Sequence, residues 1–229
     1  SQIPPVPNLN RIRQIIKAAA QKNQKTLNNL EANEIISIAG ISTPKTALVQ
    51  SIEEAKVFSK TQGYPVVLKL SLGGLLHKKE IGGVITNIET DNQLETAWRD
   101  IKRNDVDIQI QKEISVGVEV IIGVKHDPNF GPVLLFGAGG SLAEVIADRN
   151  LHLLPIDLML AKQLVGKSKI STVLSASVGN SPYPLEKLYK TIVCLGQLVT
   201  EVPEISEIEI NPAIVTEDDV WAVDCKVVI

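Results

Sequence analysis

The chain has 229 residues, of which 44% are hydrophobic, and a formal net charge of −3. This composition is typical of a globular protein with enough apolar residues for a core. A weakly acidic chain lacks the basic surface that attracts nucleic acid or anionic membranes, so we expect neither partner. The most apolar region, 131–147, contains several glycines, a proline and Glu144, which argues against a membrane span.

The two cysteines, Cys194 and Cys225, have neither metal-ligand spacing nor the pattern of a disulfide framework. Reduced thiols of this kind are usual in the cytosol, so we expect a cytoplasmic protein.

The predicted elements begin after a proline-rich arm, with a surface helix over Leu9–Gln21 and a capped helix from Asn28 to Ile38. Capping boxes at Ser51 and Thr90 predict two further helices, and a long helix starts at Leu185. Strands are expected at 65–70, 83–88, 107–111, 116–124, 132–136, 142–146, 205–210 and 220–229. Several strands come in adjacent pairs, which favours an α+β fold with mixed or antiparallel sheets. We expect 166–184, rich in Ser, Gly and Pro, to be a long surface connection.

One group of candidate functional residues follows the strand that carries Lys69. The next segment, 73–83, contains four glycines together with His77 and Lys78. Glycines let backbone N–H groups approach anions, lysines bind phosphate oxygens, and a neutral imidazole is a good nucleophile towards phosphorus. A solvated basic hairpin with an incidental histidine explains the same residues, and the pattern alone leaves both interpretations open.

A second group lies near the C-terminus. Alternation on a strand places Glu207, Glu209 and Asn211 on one face, and Asp224 follows on the next apolar run. If these two strands pair, Asn211 and Asp224 converge, and an amide oxygen with a carboxylate suits Mg²⁺. An ordinary half-exposed strand shows the same alternation, so this alternative also stays open.

Two weaker patterns lie between these groups. The strand over 131–140 ends in glycines, which is typical of a ligand contact and equally of a tight turn. Two apolar runs flank a polar link that predicts either an adenine slot or a core hairpin with exposed polar ends. The residues of interest at this link are Gln111, Lys112, Glu113 and Ile114, with the carboxylate of Glu119 nearby.

In this order, the segments resemble the β subunit of ADP-forming acetyl-CoA synthetase, a member of the ATP-grasp superfamily. The resemblance runs from about Thr26 to Ile229 and rests on six segments, at 63–69, 76–84, 117–124, 127–132, 136–140 and 208–212. It implies an ATP-grasp fold of two α+β lobes with the nucleotide between them. The expected divisions are an N-terminal arm and helix over 1–25 and an ATP-grasp domain over 26–229, with lobes of about 26–110 and 111–229.

The resemblance implies the nucleotide-binding subunit or domain of an ADP-forming acyl-CoA (acetyl-CoA) synthetase. A CoA-binding partner subunit or domain forms an acyl phosphate and phosphorylates its own histidine, and the phosphoryl group passes through His77 to ADP. The expected assembly is a hetero-oligomer. The implied nucleotide-binding residues are Lys69, Lys78, Gln111, Lys112, Glu113, Ile114 and Glu119, and the implied Mg²⁺ ligands are Asn211, Asp224 and Glu209.

The sequence departs from the family pattern at several positions. Lys79 and Glu80 replace a Ser-Asp pair, while Val178 and His152 stand where arginines are usual. These losses favour, as an alternative, a catalytically weak or regulatory nucleotide-binding module of a larger synthetase-like or acetyltransferase protein. A carboxylate–amine ligase explains the nucleotide site as well, but it leaves His77 without a role.

Overall fold

A computed structural model describes residues 5–71, 82–102, 106–140, 143, 147–178 and 181–229. The chain forms two compact units. The large unit comprises Ser1–Leu27, Glu31–Thr43 and Val116–Ile229, and the small unit comprises Asn28–Leu30 and Pro44–Ser115. No helix in the described ranges is long and apolar enough to cross a membrane.

The helices and strands alternate irregularly along the chain. The helices are α1 (Leu9–Gln21), α2 (Asn29–Ile38), α3 (Ile52–Gln62), α4 (Asp91–Ile101), α5 (Leu158–Lys167), α6 (Ser171–Leu174) and α7 (Leu185–Glu201). The strands are β1 (Thr46–Val49), β2 (Val66–Leu70), β3 (Val84–Ile88), β4 (Ile108–Lys112), β5 (Val118–Asp127), β6 (Gly131–Ala138), β7 (Arg149–Leu153), β8 (Ser177–Val178), β9 (Ser181–Pro182), β10 (Glu207–Val215), β11 (Val220–Ala222) and β12 (Cys225–Val228).

The small unit is a four-stranded antiparallel sheet in the order β1-β4-β2-β3, with α3 and α4 packed against it. Its apolar core joins one face of the sheet to the buried faces of the two helices. Both helices start at the predicted caps, since the Ser51 and Thr90 hydroxyls accept hydrogen bonds from the N–H groups three residues later. Side-chain caps of this kind satisfy N–H groups that have no partner within the helix.

The large unit is built on a six-stranded antiparallel sheet in the order β11-β10-β5-β6-β7, with β12 also paired to β10. Helix α7 packs against the inner face of this sheet, and the residues predicted for its apolar stripe are all buried: Leu188, Ile192, Leu195 and Val199. Burial of such a stripe along four turns supplies much of the hydrophobic stabilisation of this unit.

The N-terminal segment belongs to the large unit, which differs from the predicted division into an arm and two consecutive lobes. Helix α1 buries Ile12, Ile15, Ile16 and Ala19 in the large core. The segment after α1 is hydrogen-bonded to the last strand, because the N–H of Leu27 donates to the carbonyl of Val227 over 2.9 Å. The second boundary also differs, as the small unit continues to Ser115 rather than ending near 110.

Three predicted features need correction or fall outside the described residues. Helices α5 and α6 and strands β1 and β7 are absent from the predicted elements, and the connection expected over 166–184 is not simply a surface loop. It contains α6, and both Ile170 and Leu174 are buried in the large core. Of the strand predicted over 142–146, only Ala143 is described, and this residue is helical.

Candidate functional site

Strand β10 presents its polar residues on the outer face of the large sheet, as the alternation predicts. Ile208 and Ile210 are completely buried in the core, while Glu207, Glu209 and Asn211 are only partly buried. Glu209 is paired with Gly123 of β5, and the register of β10 against β5 shifts between Ile210 and Ala213. The pairing resumes with Ala213 opposite Val120 and continues with Ile214 opposite Glu119. Glu119 therefore lies on a strand directly beside the one carrying Glu209 and Asn211.

Asn211 and Asp224 converge as the sequence predicts, because β10 pairs with β12. The pair Ile210 and Cys225 ends the ladder, and beyond it the N–H of Asn211 donates to the backbone carbonyl of Asp224 over 2.9 Å. Asp224 is exposed, whereas its neighbour Cys225 is buried. The carboxylate is therefore available to a ligand while the adjacent residue anchors the strand in the core.

The glycine-rich end of β6 approaches the same place. The N–H of Gly140 donates to Oδ1 of Asn211 over 3.1 Å. A Cβ atom at Gly140 would lie 1.6 Å from Oε2 of Glu119, so the Glu119 carboxylate occupies the space that any other side chain would need. Glu119, Gly140 and Asn211 thus form one cluster, with Asp224 attached to it through the backbone of Asn211.

The donor set of this cluster fits Mg²⁺. It offers one amide oxygen and two carboxylates, which are the hard oxygen ligands that Mg²⁺ prefers, and nucleotide phosphates and water complete such a coordination shell. Among the described residues, no group of three or more His, Cys, Asp or Glu side chains is arranged to hold a metal by itself. A site that takes its remaining ligands from a nucleotide is consistent with both observations.

Glu209 also faces a groove that continues along the outer face of the large sheet. The groove has a volume of about 770 Å³. Its floor is apolar and includes Gly123, Val133, Leu135, Leu151 and Leu153, and its rim carries Lys125, Glu207 and Glu209. Glu207 accepts from Lys226 at 2.6 Å and is paired with Lys125 at 3.2 Å, and the hydrogen bond from Lys226 is the main reason that its pKa lies below the usual value.

In the small unit, Lys69 lies on the sheet face opposite α3 and α4. Lys69 pairs with Gln109 of β4, and Val67 pairs with Gln111, so both glutamines share this face with Lys69. All three polar side chains are at most 7% exposed. Gln109 donates to the Ser71 hydroxyl and Gln111 to the Thr46 hydroxyl, each over 3.1 Å. Burial of a lysine and two amides on one sheet face is unusual and is typical of a site built for polar ligands.

The predicted adenine link is more structural than the sequence suggests. The Lys112 ammonium group donates to the carbonyls of Gly63 and Tyr64 over 3.2 and 2.7 Å. The Glu113 carboxylate accepts from the N–H of Asn87 over 2.8 Å. The backbone N–H groups of Lys112 and Glu113 donate to the carbonyls of Lys45 and Pro65. The expected nucleotide contacts of these two residues are therefore in competition with bonds inside the small unit.

The same link is not the turn of a core hairpin. Strand β4 pairs with β1 and β2, whereas β5 pairs with β10 and β6, so the two strands belong to different sheets. Ile114 is partly buried and belongs to the small unit, one residue before its boundary at Ser115.

His77 and Lys78 lie outside the described residues, as do Lys79 and Glu80. The described ends of that segment are Ser71, directly after β2, and Gly82, two residues before β3. The N–H of Leu70 donates to the carbonyl of Gly83 over 2.8 Å, and β2 and β3 are antiparallel. The sequence therefore places His77 in the connection between two paired strands, one of which carries Lys69.

Two residues of the site are absent from the sequence-based candidates. Gln109 lies two residues before the predicted link and shares the face of Lys69, a position that follows from strand alternation once β4 is known to pair with β2. Gly140 is part of a glycine pair whose pattern equally fits a plain turn. Its contacts with Glu119 and Asn211 join segments that are far apart in sequence, and no local signal reports them.

The sequence matches the family described as ATP-grasp domain over residues 18–229. It is 36% identical to the acetate–CoA ligase [ADP-forming] I subunit beta of Pyrococcus furiosus, covering 95% of this chain and 97% of that protein. It is 31% identical to the 4-hydroxybutyrate–CoA ligase [ADP-forming] of Nitrosopumilus maritimus, covering 92% of this chain and 31% of that longer protein. The relatives are ligases, so a purely regulatory module is not favoured.

Solved structures of acetyl-coenzyme A synthetase 1 from Ca. Korarchaeum cryptofilum have the same fold. One, in complex with coenzyme A and Ca-AMPCP, superposes with a TM-score of 0.87 at 31% identity and covers 95% of this chain and 99% of that chain. Another contains Mg-AMPPCP and is described with its phosphohistidine segment pointing towards the nucleotide-binding site; its TM-score is 0.84 at 31% identity and the same coverage. The predicted α+β fold is confirmed, and the chain belongs to the ATP-grasp family, among the nucleotide-binding components of the ADP-forming acyl-CoA synthetases.

Proposed function

We propose that this chain binds ADP with Mg²⁺ and receives a phosphoryl group through His77. The observation that carries the proposal is the cluster of Glu119 and Asn211, on adjacent strands of the large sheet, with Asp224, which directly precedes β12. Bound Mg²⁺ would neutralise charge on the transferring phosphoryl group, and Asn211 and Asp224 would hold it, with Glu119 or Glu209 assisting. Lys69 and Lys78 would contact phosphate oxygens, and Gln111, Lys112, Glu113 and Ile114 would lie near the adenine.

Transfer of the phosphoryl group in the proposed site breaks one bond to phosphorus and forms another. The bond between phosphorus and the imidazole nitrogen of His77 breaks, and a terminal oxygen of ADP forms the new bond to phosphorus. The other ring nitrogen of the phosphorylated imidazole carries a proton, so the imidazole leaves as a neutral group, and the product is ATP. The role of the protein is to bring the two reactants into line and to offset their negative charge.

The phosphoryl group is supplied by a partner in this proposal. The Pyrococcus relative is named as subunit beta, and the Nitrosopumilus relative is about three times as long as the matched region, which fits an enzyme whose other part lies on a second chain or in further domains. We infer that a CoA-binding subunit or domain forms the acyl phosphate and that the assembly is a hetero-oligomer. The two relatives are named for different acids, acetate and 4-hydroxybutyrate, although both are similar to this chain over most of its length. We therefore expect the partner, rather than this chain, to recognise the acyl group. The cytoplasm is the expected compartment.

The experiment uses the three histidines of the chain, His77, His126 and His152. The purified chain is incubated with ATP and Mg²⁺, and acid-labile phosphate is located by mass spectrometry of peptides. We expect phosphate on His77 only, and we expect it to be lost in His77→Ala but retained in His126→Ala and His152→Ala. Phosphate on another residue, or none in a chain that binds ADP and Mg²⁺, would contradict the proposed relay.

A second measurement tests the complete reaction. The chain is mixed with a CoA-binding partner subunit, acetyl-CoA, phosphate and ADP, and ATP is measured. His77→Ala should abolish ATP formation while leaving the affinity for ADP unchanged. Full activity in that variant would rule out His77 as the carrier.

A further inference from the structure

Gly140 contacts two of the side chains on which the proposed metal site depends. Its N–H donates to Oδ1 of Asn211 over 3.1 Å, and its missing side chain leaves room for the carboxylate of Glu119. The first contact uses the backbone of the residue, and the second uses the absence of a Cβ. A Cβ atom at this position would displace the Glu119 carboxylate, and the positive φ of Gly140 would be strained in any other residue.

The hydrogen bond has a chemical consequence for the Asn211 amide. The oxygen and nitrogen ends of an asparagine amide are almost equal in size, so packing alone hardly distinguishes the two orientations. The N–H of Gly140 can form this hydrogen bond only when the amide oxygen of Asn211 faces it. In the other orientation the NH₂ group would face the N–H, and two donors would lie together. Gly140 therefore selects the orientation in which Oδ1 faces the Gly140 N–H group, and this oxygen keeps a second lone pair for a cation.

The position of Gly140 is itself fixed by β5. The N–H of Gly139 donates to the carbonyl of Glu119 over 3.0 Å, and a Cβ atom at Gly139 would lie 2.4 Å from the carbonyl carbon of Val120. Gly140 has a φ of +56°, in the left-handed region that glycine adopts without strain. The donor that orients Asn211 is thus attached to the same strand that carries Glu119.

We propose that Gly140 is a positioning residue for the metal of the nucleotide, which it serves by orienting the Asn211 amide and admitting the Glu119 carboxylate. The inference rests on the proposed function, since it requires that Asn211 binds Mg²⁺. Groups that orient metal ligands typically change metal affinity by about 10–100-fold when they are removed. The effect is expected on the metal and not on the nucleotide itself.

The test compares the ADP dissociation constant with and without Mg²⁺, measured by calorimetry, in wild type and Gly140→Ala. We expect Mg²⁺ to strengthen ADP binding in wild type and this enhancement to fall by about tenfold or more in Gly140→Ala. Binding of ADP without metal should stay the same. Gly40→Ala is the matched control, because Gly40 also has a positive φ, of +85°, and a Cβ atom there meets nothing within 4 Å. An unchanged Mg²⁺ enhancement in folded Gly140→Ala would overturn the inference.

Two further variants separate orientation from general damage. Asn211→Asp has two equivalent oxygens and needs no orienting donor, so Gly140→Ala should cost less Mg²⁺ enhancement in that background than in wild type. An equal loss in both backgrounds would contradict the orienting role. If Gly140→Ala does not fold, the comparison is made between Glu119→Ala and Glu119→Ala/Gly140→Ala, where the space taken by the carboxylate is vacant.

The binding measurements also distinguish failure of this inference from failure of the proposed function. A wild-type chain in which Mg²⁺ does not affect ADP binding contradicts the proposed function. A different result contradicts only the role of Gly140. In that case Mg²⁺ strengthens ADP binding in wild type, and the enhancement is lost in Asn211→Ala but retained in Gly140→Ala.

Discussion

The backbone N–H of Asn211 donates to the backbone carbonyl of Asp224 over 2.9 Å. This bond sets the separation of two residues that are far apart in sequence, and it does not involve either side chain. The side chains can therefore be changed without removing the contact that brings them together.

Replacing Asp224 with asparagine tests its role as a metal ligand. We expect Asp224→Asn to weaken the Mg²⁺-dependent binding of ADP by about tenfold or more, because a charged ligand becomes a neutral one. The melting temperature should hardly change, since Asp224 is exposed and the backbone bond remains. Calorimetry and thermal melting measure the two quantities. Glu217→Gln, which removes another exposed carboxylate, is the control and should alter neither.

Lys69 and Lys112 are both sequence-based candidates for nucleotide binding, and the structure predicts that they differ. Lys69→Met should weaken ADP binding by about tenfold or more, because a charge-assisted hydrogen bond to phosphate is worth about 1.5–3 kcal/mol. Lys112→Met should instead lower the free energy of unfolding by about 1 kcal/mol, since the carbonyls of Gly63 and Tyr64 lose a donor. Calorimetry and urea unfolding on both variants check this contrast, and the opposite pattern would refute it.

The lowered pKa of Glu207 should make the stability of the folded protein depend on pH. Its hydrogen bond from Lys226 and its neighbour Lys125 lower its folded-state pKa, so the folded protein releases this proton more readily than the unfolded chain. The stabilisation is then present above the unfolded pKa of about 4.3 and is lost as the pH falls through the lower folded pKa.

The variant Glu207→Gln measures this contribution. At pH 7 we expect it to lower the free energy of unfolding by about 0.5–1.5 kcal/mol, because the pair is only partly buried. The difference from wild type should shrink steadily in urea unfolding experiments below about pH 4. A difference that is independent of pH would show that packing, rather than charge, is responsible.

Tyr64 provides a test at the alkaline end. Burial and its hydrogen bond to Asp91, over 2.6 Å, raise its pKa to about 12. A raised folded-state pKa means that the stabilisation is complete below the unfolded value of about 10 and is lost as the pH rises through 12. Burial also raises the pKa of Tyr189, so ultraviolet titration should show two of the three tyrosines ionising above the usual pH. Tyr64→Phe should remove the step near pH 12 and leave the step of Tyr189. A step near pH 12 of unchanged size in Tyr64→Phe would assign it to another residue.

Much of the fold follows from local patterns in the sequence. The capping residues Ser51 and Thr90 begin their helices as predicted, because a cap is decided by residues within one turn. The alternation in β10 correctly assigns Ile208 and Ile210 to the core and Glu209 to the outer face, because side-chain period alone determines the face of a strand. Strand β7 is not predicted from the sequence because its polarity is the reverse of the usual pattern: Leu151 and Leu153 are exposed, whereas Asn150 and His152 are partly buried.

The site can be predicted only in part, because some of its contacts depend on how strands lie beside one another. The convergence of Asn211 and Asp224 depends on the pairing of two predicted strands, and this pairing is confirmed. The bonds of Lys112 to Gly63 and Tyr64 depend on how β4 lies beside β2, and residue type alone cannot report them. The role of His77 remains a prediction, because this residue lies outside the described part of the chain.

The hydrogen bonds that join the segment after α1 to β12 affect the order in which the protein can assemble. Leu27 and Lys25 are bonded to Val227 and Ile229, so the large unit is closed by residues from opposite ends of the chain. The stretch Pro44–Ser115 of the small unit is contiguous and lies between those ends. During translation the small unit is complete before most of the large sheet has been made, and closure of the large unit must wait for the final strand. A chain shortened by β12 would therefore also release the segment around Lys25 and Leu27, which precedes the small unit.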